Sequence, residues 1–98
     1  MTIDKKQNGS ELTLTLSGRL DTTTAPQLEE ALKESISGIE ALEFDFGALE
    51  YMSSAGLRVL LAAQKKMNKQ GKMVVKNVND VIMEVFEVTG FVDILTIE

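Results

Sequence analysis

Between Glu11 and Gly18 the chain alternates without a break, Leu12, Leu14 and Leu16 against Thr13, Thr15 and Ser17. A period of two puts the leucines on one face of a strand and the hydroxyls on the other. Upstream, residues 2–7 (TIDKKQ) read as a weaker strand that ends at the turn dipeptide Asn8-Gly9, so a β-hairpin is expected. The period then lengthens. Leu28, Ala31, Leu32 and Ile36 recur at spacings of three and four, the apolar stripe of a helix over 25–37. Thr24-Ala25-Pro26-Gln27 predicts a capping box at its start, with Pro26 tolerated in the first turn. Glu29, Glu30 and Glu34 are expected off that stripe, two of them in the first turn, where the helix dipole favours them, and Gly38 is a plausible stop.

Leu42, Phe44 and Phe46 return to alternation and predict a strand over 42–46. Leu57, Leu60, Leu61 and Met67 mark a helix over 54–69 that Gly71 ends. Residues 73–77 form a short β-branched strand. Asn79 or Asp80 caps a helix over 80–89 whose Val81, Ile82, Val85 and Phe86 share a face, and Gly90 stops it. FVDILTIE (91–98) closes the pattern as a last strand over 93–97. The order β-β-α-β-α-β-α-β predicts an α/β fold, a mixed sheet with right-handed parallel crossovers after the hairpin. No linker or repeat interrupts it, so residues 1–98 are expected to form a single domain.

Composition narrows the chemistry. The chain has no cysteine and no histidine, which removes disulfides, thiolate chemistry, imidazole-ligated metals and any Ser-His nucleophile. A net charge of −5 disfavours nucleic acid. Lys65, Lys66, Lys69, Lys72 and Lys76 cluster but have no interleaved aromatics, which fits a solvated helix face and strand entrance. No window is long and apolar enough to span a membrane, and MTIDKKQNGSEL lacks the apolar run of a signal peptide. The expectation is a soluble cytoplasmic protein without cofactor or metal.

The most informative stretch is YMSSAGL (51–57), which joins a strand to a helix. Ser53 or Ser54 suits an N-cap, and Ala55 and Gly56 keep the first turn small. Yet two hydroxyls exceed what one cap needs, and Gly56 costs about 1 kcal/mol against alanine within a helix, a cost kept for access or packing. Tyr51, Met52 and Leu57 set apolar side chains beside the hydroxyls, and an exposed Met52 is expected in a small partner-binding patch. Asp21, Thr22 and Thr23 lie in the loop after the second strand, where a helix cap is the plainer role. Asp45 is expected to meet solvent on its strand, and Arg58 to be a surface residue of its helix.

GRLD at 18–21, SSAGL at 53–57 and VTGF at 88–91, in this order of elements, resemble the STAS family, and within it the free-standing bacterial anti-sigma factor antagonists. The resemblance covers essentially the whole chain, and SSAGLRVLL after the LEFDF strand is its most specific part. It implies partner switching. The unphosphorylated antagonist binds an anti-sigma factor that is also a serine kinase, the kinase inactivates it by phosphorylating one serine, and a serine phosphatase restores it. Aligning Gly56 and Leu57 with the family pattern assigns the phosphoacceptor to Ser54. Ser53 then stands where the family has an aspartate, which makes it a competing acceptor, and Ala55 where it has a second hydroxyl. The implied interface includes Asp21, Thr22, Thr23, Met52, Ser53, Ser54, Gly56, Leu57 and Arg58.

Two other functions compete. A STAS protein can regulate a membrane transporter or lipid-transport complex, here in trans. An enzyme using Ser54 as nucleophile would need a lysine or carboxylate to activate it, because the chain has no G-x-S-x-G elbow and Lys65 and Lys66 lie about three helical turns away. Nucleotide binding lacks a glycine-rich phosphate loop.

Overall fold

The computed structural model describes residues 1–98. A hairpin of β1 (Thr2–Asn8) and β2 (Glu11–Leu20) opens the chain, followed by α1 (Ala25–Ser35), β3 (Ala41–Met52), α2 (Ser54–Gln70), β4 (Lys72–Lys76) and α3 (Asp80–Thr89). The sheet order is β1-β2-β3-β4, antiparallel at the hairpin and parallel beyond it. Register carries the sequence periodicity across the sheet. Leu12, Leu42 and Met73 sit side by side, as do Leu14, Phe44 and Val75, and all six are buried. Their neighbours Thr13, Glu43 and Val74, and Thr15, Asp45 and Lys76, share the half-exposed opposite face. Leu28 and Leu32 of α1, Leu60 and Met67 of α2, and Ile82 and Phe86 of α3 all join the core on the first face. The α/β fold and its mixed sheet are as the pattern predicts. No helix is long and apolar enough to cross a membrane.

The last strand is a correction. After α3 the backbone turns left-handed at Gly90 (φ 80°), and Phe91–Asp93 form a short 3-10 turn. Amides of Asp93, Ile94 and Leu95 bond back to carbonyls of Gly90 and Phe91. Only the final three residues reach the sheet, where Ile97 makes one isolated parallel bridge to Val75. The alternation in FVDILTIE is real, but the tight turn uses up the residues that a strand would need. On α3 itself Ile82 and Phe86 are buried whereas Val81 is exposed, so the expected shared face is narrower than the sequence implied.

Helix ends follow local chemistry. Asn79 caps α3, accepting the Ile82 amide at 2.9 Å while its Nδ2 donates to the Leu49 carbonyl at 2.8 Å. The last turn of α2 meets the chain entering β3. The Lys72 amide donates to the Glu40 carbonyl at 2.9 Å, and a Cβ on Gly71 would stand 1.9 Å from that same oxygen. Close approach of two backbones, rather than helix termination alone, therefore requires glycine here. Gly71→Ala should cost roughly 1–3 kcal/mol through this overlap. Urea unfolding measures it, with the exposed Ser37→Ala expected within about 0.5 kcal/mol of wild type.

Candidate functional site

The parallel strands β2 and β3 end together, with Leu20 opposite Met52. The Ser53 amide extends the ladder by one bond, donating to the Leu20 carbonyl at 2.9 Å. The Asp21–Thr24 loop and the first turn of α2 are thereby held side by side at one end of the sheet.

How β3 reaches this end explains which side chains it presents. Its pairing with β2 shifts between Thr15 and Ser17 and again between Gly18 and Arg19, each time with one extra residue on β3. Each bulge carries one more residue outward, so after Phe46 the inward residues are Leu49 and Met52, every third instead of every second. Met52 is 3% exposed and Tyr51 37% exposed. The expectation of an exposed Met52 fails for this reason. Tyr51 instead faces out, with the Arg19 guanidinium stacked 4.2 Å from its ring centroid.

Gly56 and Leu57 are also core residues. A Cβ on Gly56 would lie 2.7 Å from Leu20 Cγ and 3.1 Å from Met52 Cγ, so the glycine lets α2 seat directly on the strand ends. Its cost is kept for packing. Met52, Gly56 and Leu57 consequently cannot form the outer apolar patch that the sequence suggested. What the turn exposes is Ser54, Arg58, Tyr51 and the polar loop, with Ala55 half-buried.

Ser53 is the backbone N-cap of α2, with φ −101° and ψ 176°. Its hydroxyl makes no capping bond, however; Ser53 Oγ is buried without a partner. Ser54 is the first helical residue and is exposed, as expected, and Arg58 follows four residues later on the same face. The first intrahelical bond runs from the Leu57 amide to the Ser53 carbonyl at 3.1 Å, so the preceding amides of the turn lack helical acceptors. This is an exposed hydroxyl beside the positive end of a 17-residue helix.

The neighbouring loop is ordered by Asp21. Its Oδ1 accepts the amides of Thr23 at 3.0 Å and Thr24 at 3.1 Å, and Arg19 Nε lies 3.8 Å from Oδ2. Thr24 Oγ1 accepts the Asp21 amide at 2.9 Å and donates to the Arg19 carbonyl at 2.8 Å. Thr24 already has helical φ and ψ and its hydroxyl is committed, while the Gln27 side chain donates to the Met1 carbonyl. The predicted capping box is absent for that reason. With α1 starting at Ala25, Glu29, Glu30 and Glu34 all fall beyond its first turn, so the expected pair of first-turn acids is absent. Thr22 and Thr23 are exposed at the tip. Bonding from the Thr24 amide is the main influence holding the Asp21 carboxyl below its ordinary 3.8.

Asp45 does more than meet solvent. Its Oδ1 accepts from Asn77 Nδ2 at 3.0 Å and the Gly47 amide at 2.9 Å, bracing the first bulge against the end of β4. The Asn77 bond is the main influence lowering its pKa. Arg19 was not singled out from sequence. The break from alternate to every-third spacing in FDFGALEYM is the signal that would have found the bulges, and with them the outward Tyr51.

The STAS domain family matches residues 2–98. The anti-sigma-B factor antagonist of Bacillus subtilis is 30% identical over 96 residues, covering 97% of this chain and 88% of that protein. Its namesake in Listeria monocytogenes is 32% identical over 97 residues, covering 96% and 84%. A crystal structure of an anti-sigma factor antagonist from Mycobacterium paratuberculosis is similar with a TM-score of 0.88 and 26% identity, over 98% of this chain and 83% of that one.

Two measurements check this geometry. Met52→Ala should destabilise by about 2–5 kcal/mol as a core truncation, whereas Tyr51→Ala should cost under about 1 kcal/mol; paired urea unfolding curves decide. For Asp21, a depressed pKa means that the loop's bonding is complete above the ordinary value of 3.8 and is lost as pH falls through the lower, folded-state value. The Asp21 carboxyl should therefore titrate by NMR with a midpoint below 3.8, and the Thr23 and Thr24 amide signals should move with it.

Proposed function

The chain belongs to the STAS domain family, and on that premise we propose that it is an anti-sigma factor antagonist switched by phosphorylation of Ser54. The observation that carries the reading is the exposed Ser54 hydroxyl at the first position of α2, in a chain aligned almost end to end with proteins named for that role. The unphosphorylated protein binds an anti-sigma factor with serine kinase activity and so frees the sigma factor. The kinase transfers the γ-phosphoryl group of ATP to Ser54 Oγ, and a serine phosphatase removes it. The chain is thus a substrate and not an enzyme, and it works in the cytoplasm with these partners.

The burial of Ser53 Oγ supports Ser54 over Ser53 as acceptor, because a kinase would have to open the turn to reach it. The contact surface combines Ser54 and Arg58 with the Asp21, Thr22 and Thr23 loop, and Tyr51 and Arg19 extend it. Met52, Gly56 and Leu57 act beneath it, fixing the turn from inside the core.

Phosphate at this position does not threaten the fold. Unpaired first-turn amides and the helix dipole favour an anion there. Nearly two negative charges would instead enter the centre of the contact, where desolvating them is costly. Ser54 makes no side-chain cap that its loss would remove. Ser54→Ala should therefore unfold within about 0.5 kcal/mol of wild type, bind the anti-sigma partner and resist phosphorylation. Ser54→Asp should stay folded while losing at least about tenfold in affinity, near 1.4 kcal/mol. Mass spectrometry after incubation with ATP and the kinase, with calorimetry on the same variants, tests both. Continued phosphorylation of Ser54→Ala, or full binding by folded Ser54→Asp, refutes the switch.

A further inference from the structure

Five large apolar side chains remain exposed in this chain, and four of them lie between residues 81 and 94: Val81, Val88, Val92 and Ile94. On α3 the exposed Val81 and Val88 lie on one side of the helix, beside the buried Ile82 and Phe86, and the half-buried Val85 between them packs partly against the core. Val81 is 58% exposed and Val88 80% exposed, so neither serves the core. Past Gly90, Val92 and Ile94 are exposed as well.

The charge of the molecule is concentrated on the same segment. Residues 77–98 hold five acids, Asp80, Glu84, Glu87, Asp93 and Glu98, and neither lysine nor arginine. The chain as a whole has 15 acidic and 10 basic residues, so the first 76 residues balance at ten of each. The entire net charge of −5 therefore belongs to α3 and the tail after it. Asp80, Glu84, Glu87 and Asp93 join no ion pair, and only Glu98 reaches a cation, Lys76 at 4.0 Å.

We propose that the outer face of α3, with the Phe91–Ile94 turn, is a second docking surface that receives a basic amphipathic helix of a partner protein. An apolar stripe flanked by unpaired acids is complementary to a helix with leucine-type residues on one face and lysine or arginine beside them. The same charges select against other occupants. A second copy of this chain would bring two acidic rims together, and an anionic membrane or a nucleic acid would be repelled. A helix of ten residues spans about 15 Å, so the contact is small and suits a transient, micromolar association. The surface uses no residue of the Asp21 loop or the Ser54 turn, so it can be occupied whether or not Ser54 is modified.

The test titrates the full chain, labelled with nitrogen-15, with a synthetic Leu/Lys amphipathic helix of about 18 residues, long enough to cover α3. Shifts should concentrate on residues 80–94. Val81→Ser/Val88→Ser keeps every charge and should weaken binding about tenfold, and Glu84→Gln/Glu87→Gln should weaken it and flatten its salt dependence. Ser54→Asp should bind the peptide as wild type does, which separates this surface from the phosphoswitch. Should the double serine variant lose its fold, Val88→Ser alone gives the same reading at a position that packs against little. Undiminished binding by the folded serine variant would overturn the proposal, since charge alone would then explain the contact. Shifts centred on the acidic face of α1, or a concentration-dependent dimer that the serine variant abolishes, would overturn it equally.

Discussion

Everything at the candidate site depends on how closely α2 can sit on the ends of β2 and β3. The Ser53 amide bonds to the Leu20 carbonyl, and three residues later Gly56 lies against Leu20 and Met52 with no room for a methyl group. These contacts leave the helix start one orientation. They also bring two segments more than thirty residues apart in sequence into a single surface. A larger side chain at 56 would lift the first turn, and Ser54 would lose its fixed position relative to Asp21.

Rigidity there comes from dissimilar sources that reinforce one another. Two bulges in β3 draw Met52 inward as an anchor and turn Tyr51 outward as a platform for Arg19. Asp21 ties down its own loop through backbone amides, and Asp45 ties the first bulge to Asn77. Neither carboxylate faces a buried cation; each is held ionised mainly by neutral donors, which keeps the charge local. The Ser53 hydroxyl is the one buried side-chain polar group at the turn that this packing leaves without a partner. A prepositioned Ser54 beside free amides suits a switch that alters charge without altering shape.

Charge also divides the molecule. The sheet, α1 and α2 together are electrically balanced, while α3 and the tail carry the whole excess. The exposed valines of α3 sit in a standing negative field that selects the sign of whatever approaches.

The alternation of β2, the helical stripes and the glycine stops determined the class of fold, because periods of two and 3.6 need only local geometry to express a buried face. Asn79 and Gly90 were legible for the same reason, since a cap or a left-handed residue acts within one turn. The SSAGL turn and its exposed Ser54 were legible because sequence order alone puts that residue at a strand-to-helix junction. The inward turn of Met52 was not, because a bulge changes the inward phase and only pairing with β2 creates one, and for Gly56 only the fold decided between access and packing. Thr24 and Gln27 spelled a capping box, but Arg19, Asp21 and Met1 compete for the same groups and are brought to them only by the fold. The tail alternated like a strand and became a turn with a single bridge, because the distance left after Gly90 is set by where α3 packs. Local patterns decide what each segment can form; which side chain wins a shared partner, and which face is left open, depends on neighbours distant in sequence.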